Sequence, residues 1–121
     1  MLNYKKYRKQ IEKLYEDLAT ISRHVKAKKL SGETKLERQV VYNDVPCRLS
    51  QKALSAGYQT EAANEIAYET KLFIQPELEI KPGDIVAINR LRLGPMSEYT
   101  AGESFLYGSH QEVILTQEAK A

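Results

Sequence analysis

A Pro-Gly-Asp turn constrains the fold of this chain more than any other stretch. Lys81-Pro82-Gly83-Asp84 separates residues 68–74 from residues 85–88, and both flanking segments are rich in β-branched and aromatic residues that favour strands. Proline fixes φ at the first central position of a turn, and glycine accepts the positive φ that the second position of a type II turn requires. Asp84 can hydrogen-bond its own turn. We therefore expect Pro82, Gly83 and Asp84 to form a structural turn within an antiparallel hairpin that has a longer loop.

Length and composition indicate one soluble globular domain covering residues 1–121. The chain is 42% hydrophobic and 28% charged, which is usual for such a domain. No apolar run is long enough to cross a bilayer, and no apolar region of a signal peptide follows the basic start. The single cysteine, Cys47, excludes an internal disulfide and fits a reducing compartment.

Hydrophobic periodicity predicts a helix at the start of the chain. Within residues 4–18, Tyr7, Ile11, Leu14, Tyr15 and Leu18 form one stripe of a helix. We expect this helix to pack on a sheet or to dock on a partner. Basic residues outnumber acidic ones between residues 5 and 35, which is compatible with contact to a phosphate backbone or with an ordinary solvated surface.

Short strands separated by turns account for the rest of the sequence. Alternation from Ala19, the Ser31-Gly32 turn and residues 36–42 predict a hairpin. A turn at 43–46, a short strand at 47–50 and a strand at 107–115 follow, with loops at 51–67 and 93–104. The order predicts a mainly β protein, a small antiparallel β-barrel or sandwich over residues 19–117, with an N-terminal helix (1–18) and a long mobile loop between strands (51–67).

The sequence offers little chemistry. One cysteine and two distant histidines, His24 and His110, are a poor match to a zinc site, and no glycine-rich phosphate loop is present. A Cys47–His110 thiol–imidazole pair has no local support, since a small residue after a proline turn is expected to be buried. We predict no catalytic residue, no metal and no cofactor, and we interpret Tyr107 and His110 as residues of a turn or an interface.

Five motifs, taken in order, resemble the small head-completion proteins of long-tailed phages and related prophages, also called head-closure or stopper proteins. Each motif is weak alone, and the resemblance rests on their order over residues 35–117. The motifs are Val45-Pro46-Cys47-Arg48-Leu49-Ser50, Lys71-Leu72-Phe73-Ile74, Ile80-Lys81-Pro82-Gly83-Asp84, Tyr99-Thr100-Ala101-Gly102-Glu103 and Tyr107-Gly108-Ser109-His110-Gln111-Glu112-Val113.

The resemblance implies a β-barrel that forms a ring with other copies of itself in the virion neck, below the portal and adaptor proteins. There it would retain packaged double-stranded DNA without sequence specificity and provide a surface for a tail protein. Before assembly it would reside in the cytoplasm of the bacterial host, without a membrane partner. A loop between strands closes the channel in that family, and it corresponds here to residues 51–67. Its channel-closing residues would be Ala53, Leu54, Ser55, Ala56, Gly57 and Tyr58.

A nucleic-acid-binding barrel is the alternative. An OB-like fold binds single strands by stacking bases on aromatic side chains. The aromatic residues available for such a platform are Tyr42, Tyr58, Tyr68, Phe73, Tyr99, Phe105 and Tyr107. No strand alternates basic and aromatic residues, so most of these side chains are better interpreted as core or interface.

Overall fold

Six antiparallel strands close on themselves, with one short helix before them. The computed structural model describes residues 4–28, 30–53 and 68–117. Its elements are α1 (Tyr4–Glu12), β1 (Asp17–Lys28), β2 (Thr34–Ala53), β3 (Tyr68–Ile74), β4 (Ile85–Asn89), β5 (Met96–Leu106) and β6 (Gln111–Thr116). The strand order is β1-β2-β3-β6-β5-β4, and β4 pairs with β1 to complete the barrel. This confirms a mainly β protein with an N-terminal helix.

The hydrophobic core lies inside the closed sheet, because alternate residues of every strand point inward. In β4, for example, Val86 and Ile88 are fully buried whereas Ile85, Ala87 and Asn89 are only partly so. Cys47 is buried among these side chains, as expected. The core consists of Ala19, Ile21, Cys47, Leu49, Leu72, Ile74, Ile80, Val86, Ile88, Tyr99, Ala101, Val113 and Leu115. Among the described residues, no helix is long and apolar enough to cross a membrane.

The N-terminal helix is shorter than its periodicity predicts. It ends at Glu12, where the amides of Leu14 and Tyr15 bond carbonyls three residues back and the chain turns. Leu18, predicted as helical, is a strand residue opposite both Pro46 and Asn89. The prediction was wrong there because closure of the sheet needs a strand between β2 and β4, and that pairing outweighs local helix preference.

The predicted turn at 43–46 is a bulged part of one long strand. β2 runs without interruption from Thr34 to Ala53 and joins the two short strands predicted at 36–42 and 47–50. The register against β1 shifts beside Ala19 and Ile21, and Asp44 adopts a φ of 48°. The turn-forming residues are accommodated as an irregularity that bends the strand and increases its twist.

Strand pairing differs from the predicted hairpin around the Pro-Gly-Asp turn. β3 pairs with β2 and β6, and β4 pairs with β1 and β5, so the two strands flanking the turn are not partners. The turn itself is confirmed, since Gly83 has a φ of +94°. The β1–β2 hairpin is also confirmed, with Gly32 at a φ of +89° in its turn.

Two boundaries at the C-terminal end also differ. The loop predicted at 93–104 is mostly β5, which begins at Met96 and bulges between Ala101 and Ser104. The strand predicted at 107–115 begins only at Gln111, and the residues before it form the β5–β6 turn. Gly102 misled the prediction because glycine also marks bulges inside strands; a Cβ there would lie 3.3 Å from the carbonyl oxygen of Ile114.

Candidate functional site

The proposed channel-closing loop begins and ends at neighbouring strand ends. Ala53 is the exposed last residue of β2 and is paired with Tyr68, the first residue of β3. Residues 51–53, predicted to belong to the loop, are therefore strand residues. Leu54, Ser55, Ala56, Gly57 and Tyr58 lie outside the described residues. The segment 54–67 thus connects two antiparallel strands that remain paired to their ends.

A second connection lies at the same end of the barrel. β4 and β2 run toward this end, so the β4–β5 connection at 90–95 emerges there together with the segment 54–67. Leu91 and Arg92 have φ values of 53° and 58°, which are costly for residues with a side chain. The buried carboxylate of Asp17 accepts hydrogen bonds from the amides of Leu91 at 2.7 Å and Leu49 at 2.8 Å. Asp17 therefore fixes this strained connection to β2, a few residues before the segment 54–67 begins.

The turn of Pro82, Gly83 and Asp84 lies at the opposite end and is tied to two strands. Asp84 is buried and accepts hydrogen bonds from the Lys81 amide at 2.9 Å and from Arg23 Nε and Nη2 at 2.9 and 2.8 Å. This carboxylate raises the pKa of the Arg23 guanidinium above its ordinary value. Backbone bonds of 2.8 Å link Gly83 and Asp84 to Ala101 in β5. The turn is thus a structural junction of β1, β4 and β5.

Tyr107 and His110, predicted as an interface, lie together on the outer face of the barrel. Their rings stack with centroids 5.0 Å apart, and the His110 ring lies 5.5 Å from that of Phe73. His110 Nδ1 lies 2.9 Å from the Ser109 hydroxyl, and its Nε2 lies 3.1 Å from a Glu112 carboxylate oxygen. These two contacts hold the imidazole ring in place on the outer surface.

The stacked pair belongs to a larger aromatic surface. Glu112 in β6 lies opposite Phe73 in β3 and Phe105 in β5, so these three side chains form a row across the sheet. Phe105 and Tyr107 are exposed. We call Phe73, Phe105, Tyr107 and His110 the aromatic patch. Exposed aromatic groups around one carboxylate are suited to contact with another protein.

Helix α1 borders the aromatic patch. A cavity of about 130 Å³ lies between them, lined by Ile11, Leu14, Tyr15, Arg48, Phe73 and His110. The helix is fastened by Arg8, which bonds both carboxylate oxygens of Glu77 and also Glu12 at 2.8 Å. Burial raises the pKa of Tyr15 to about 12, and its hydroxyl has no partner among the described residues. The helix packs on the sheet while Leu14 stays exposed beside the patch.

The polar residues considered for catalysis are not brought together. Cys47 is inside the barrel, where burial, followed by the charge of Asp17, raises the pKa of its thiol to about 12. His110 contacts Phe73 on the outer surface and makes no described hydrogen bond to Cys47. His24 lies on an exposed part of β1. In the described parts of the chain, no group of three or more His, Cys, Asp or Glu residues could hold a metal ion.

The aromatic residues of the alternative, base-stacking function are dispersed. Tyr99 is in the core, and Tyr42 packs against the core and accepts a hydrogen bond from the Glu79 amide at 3.1 Å. Tyr58 and the side chain of Tyr68 lie outside the described residues. Among the described residues, the aromatic patch is the one group of neighbouring rings on an outer face. Two basic residues lie beside it: exposed Arg48 of β2, opposite Phe73, and half-buried Lys71, which is paired with Glu69 and Glu112.

Sequence reasoning missed the partners that organise these sites. Phe73 was predicted in a strand and Phe105 was named only among the aromatic residues of the base-stacking alternative, and their place beside His110 depends on the β3–β6 and β5–β6 registers. The bonds of Asp17 and of Arg23 with Asp84 join residues far apart in the chain. An acidic residue at the start of an apolar alternating segment was the available signal for Asp17.

Comparison of the chain with protein-family models, with curated proteins and with solved structures found no match.

Proposed function

We propose that this protein is a head-completion, or stopper, protein of a phage or prophage neck. It joins the portal–adaptor complex as a ring of identical copies, closes the DNA channel to retain packaged double-stranded DNA, and offers a surface to a tail protein. Its place is the virion neck, and the host cytoplasm before assembly. The proposal begins with the order of motifs over residues 35–117 and is supported by the placement of two sites on the barrel.

The observation that carries the proposal is the position of the segment 54–67. It connects the paired ends of β2 and β3, two strands of a closed barrel, and the stopper family closes its channel with a loop between strands. The segment follows Ala53, the last residue of β2. Asp17 bonds the amide of Leu49 in β2 and that of Leu91 in the β4–β5 connection, and so links the two connections at this end. A rigid barrel end holding a connecting segment is the arrangement that a gate at a channel requires.

The aromatic patch supports the proposed contacts with other proteins. A ring requires each copy to present a surface that fits a different surface on its neighbour. Aromatic residues are enriched at such surfaces, and Tyr107 is 50% exposed although its ring is fixed by stacking on His110. A preordered aromatic side chain loses little conformational entropy on binding. We assign the patch to the contact with a neighbouring copy or with the adaptor.

Mass measurement of portal–adaptor particles mixed with the protein tests this function. We expect the particle mass to rise by a whole number of 13.8 kDa copies. Tyr107→Ala should reduce the number of copies bound, because it removes the exposed ring of the patch. Leu36→Ala is the matched control, since Leu36 is 61% exposed but lies on β2 away from the patch.

An unchanged particle mass with the wild-type chain would contradict the proposal. Equal losses with the two variants would place the contact elsewhere than the patch. Tight, salt-sensitive binding of the free chain to single-stranded DNA, without binding to the particles, would favour the OB-like alternative instead.

A further inference from the structure

The β1–β2 hairpin extends beyond the closed part of the sheet. β4 pairs with β1 only as far as Ser22, and β3 pairs with β2 only from Cys47 onward. Within the part of the chain that the structure describes, residues 23–28 of β1 therefore pair with β2 alone, and residues 34–40 of β2 pair with β1 alone. We call this two-stranded ribbon the arm. Its side chains are largely exposed, so little apolar burial explains its length.

The two faces of the arm differ in charge, because the one carboxylate of its paired residues lies on one face. Side chains alternate along a strand, and directly opposed residues share a face. The pairs Ser22–Val40, His24–Arg38, Lys26–Leu36 and Lys28–Thr34 thus form one face, with basic residues and no carboxylate. Glu37 lies on the other face, opposite Val25, together with Lys35 and with Arg23, which is paired with Asp84. We call the first of these faces the basic face. β1 contributes three basic side chains to it, those of His24, Lys26 and Lys28.

The ammonium groups of Lys26 and Lys28 have no carboxylate partner among the described residues. Arg38, by contrast, bonds Glu98 of β5 at 2.7 Å. This bond directs the basic face toward the outer surface of β5. It also neutralises Glu98, which would otherwise repel an anion there.

An open groove of about 1090 Å³ adjoins the basic face at His24. His24 lines it together with the outer surfaces of β4, β5 and β6. Residues with hydroxyl and amide side chains line the groove as well, namely Ser97, Thr100, Thr116 and Gln117. Among the described residues, Glu98 is the one acidic residue of the lining. Hydroxyl and amide side chains beside lysines are the usual partners of phosphate oxygens in complexes with DNA.

We infer that the basic face of the arm binds the phosphate backbone of double-stranded DNA without reading its sequence. A two-stranded ribbon fits the major groove of B-form DNA. Lys26 and Lys28 lie about 7 Å apart along the strand, close enough to contact one phosphate backbone together. The inference rests on the proposed function only for the source of the DNA, which is the packaged duplex.

Binding of the purified full chain to a short labelled duplex, measured by fluorescence anisotropy across about 50–200 mM salt, tests this site. Lys26→Gln with Lys28→Gln should weaken binding at least about tenfold at the lowest salt and reduce the slope of log K against log salt by about 1.8. Lys5→Gln with Lys9→Gln is the matched control, because it removes the same charge from exposed positions of α1. We expect the control to retain nearly wild-type affinity.

Circular dichroism should show the same secondary-structure content in both double variants, since all four substituted lysines are exposed. Absence of wild-type binding at 50 mM salt would overturn the inference, and so would equal weakening by the two double variants, which would reflect net charge alone. Tighter binding of a single strand than of the duplex would overturn it as well. A failure of the chain to join portal–adaptor particles would reject the proposed function and leave this result intact.

Discussion

The ion pair between Arg23 and Asp84 should be one of the strongest single contributions to stability. Asp84 is 2% exposed, and its carboxylate accepts three hydrogen bonds, two of them from Arg23. Asp84→Ala removes the acceptor of the Lys81 amide, a bond to a charged group that contributes about 1.5–3 kcal/mol. The guanidinium is partly exposed, so solvent screening limits the additional loss to about 1 kcal/mol. We expect Asp84→Ala to lower the free energy of unfolding by about 3 kcal/mol.

Removing the Arg23 side chain should lower the free energy of unfolding by a similar amount for a different reason. Arg23→Met leaves a buried carboxylate whose remaining partner among the described residues is the Lys81 amide. Loss of one partner from a buried pair costs about 3–5 kcal/mol, and partial solvent access places this variant near 3 kcal/mol. The double variant has neither the unpaired charge nor the pair. The double variant should therefore lose about 4 kcal/mol of the free energy of unfolding. This is about 2 kcal/mol less than the sum of the two single variants, which is the coupling energy of the pair.

Urea unfolding followed by circular dichroism measures the free energy of unfolding of the wild type, the two single variants and the double variant. An unchanged slope of that free energy against urea concentration would show that each variant unfolds from the same compact state. Asp84→Asn is a useful control, because it keeps one oxygen for the Lys81 amide without the charge. Losses of the two single variants that add within about 0.5 kcal/mol would show that the pair is not coupled and would refute the reasoning.

Three other perturbations have defined outcomes. Gly83→Val should lower the free energy of unfolding by about 1–3 kcal/mol through backbone strain alone, since a Cβ there meets no atom within 4 Å. Gly83→Asn should lower it less. Equal melting temperatures for the wild type and the valine variant would exclude the strained turn. Cys47 should not react with a thiol reagent at pH 8 until urea unfolds the chain; rapid native reaction would contradict its burial. The pKa values of Cys47 and Tyr15 are each raised to about 12, so the folded chain keeps protons that the unfolded chain loses. The free energy of unfolding should therefore fall as pH rises from about 9 toward 12. Cys47→Ala should reduce that fall, and an unchanged pH slope would refute the raised pKa of Cys47.

Local chemistry accounts for what the sequence predicted correctly. Gly83 and Gly32 adopt positive φ values because the turn positions require them whatever strands they join. The alternation of residues 19–27 and the burial of Cys47 follow from local pattern in the same way. The stripe of Tyr7 and Ile11 was enough to locate helix α1, although not its end.

Strand pairing lay beyond local information. The prediction joined β3 to β4 because they are consecutive, whereas the closed sheet pairs β3 with β6. The bulges at Asp44 and Gly102 use residues that elsewhere end a strand, so β2 was divided and β5 was interpreted as a loop. Only the register shows whether such a residue bends a strand or ends it.

The same limit applied to the sites. Tyr107 and His110 were predicted as residues of one turn or interface, and the structure stacks their rings. Phe73 and Phe105 join them only through pairing on both sides of β6. The difference in charge between the faces of the arm likewise depends on which residues of β2 lie opposite His24 and Lys26, which periodicity within one strand does not determine.

The proposed gate is tested most directly by the amount of nuclease-protected DNA in capsids assembled with a loop-shortened variant. Replacing residues 54–63 by a short Gly-Ser linker should leave the barrel folded, because a change of loop length costs little closure entropy and Ala53 and Tyr68 are already paired. The account predicts that these capsids carry the protein and lose their DNA, whereas capsids with a Cys47→Ala variant that folds and assembles retain it. Full retention of DNA by capsids that contain an assembled ring of the shortened protein would contradict the account, because the segment 54–67 would then not be the gate.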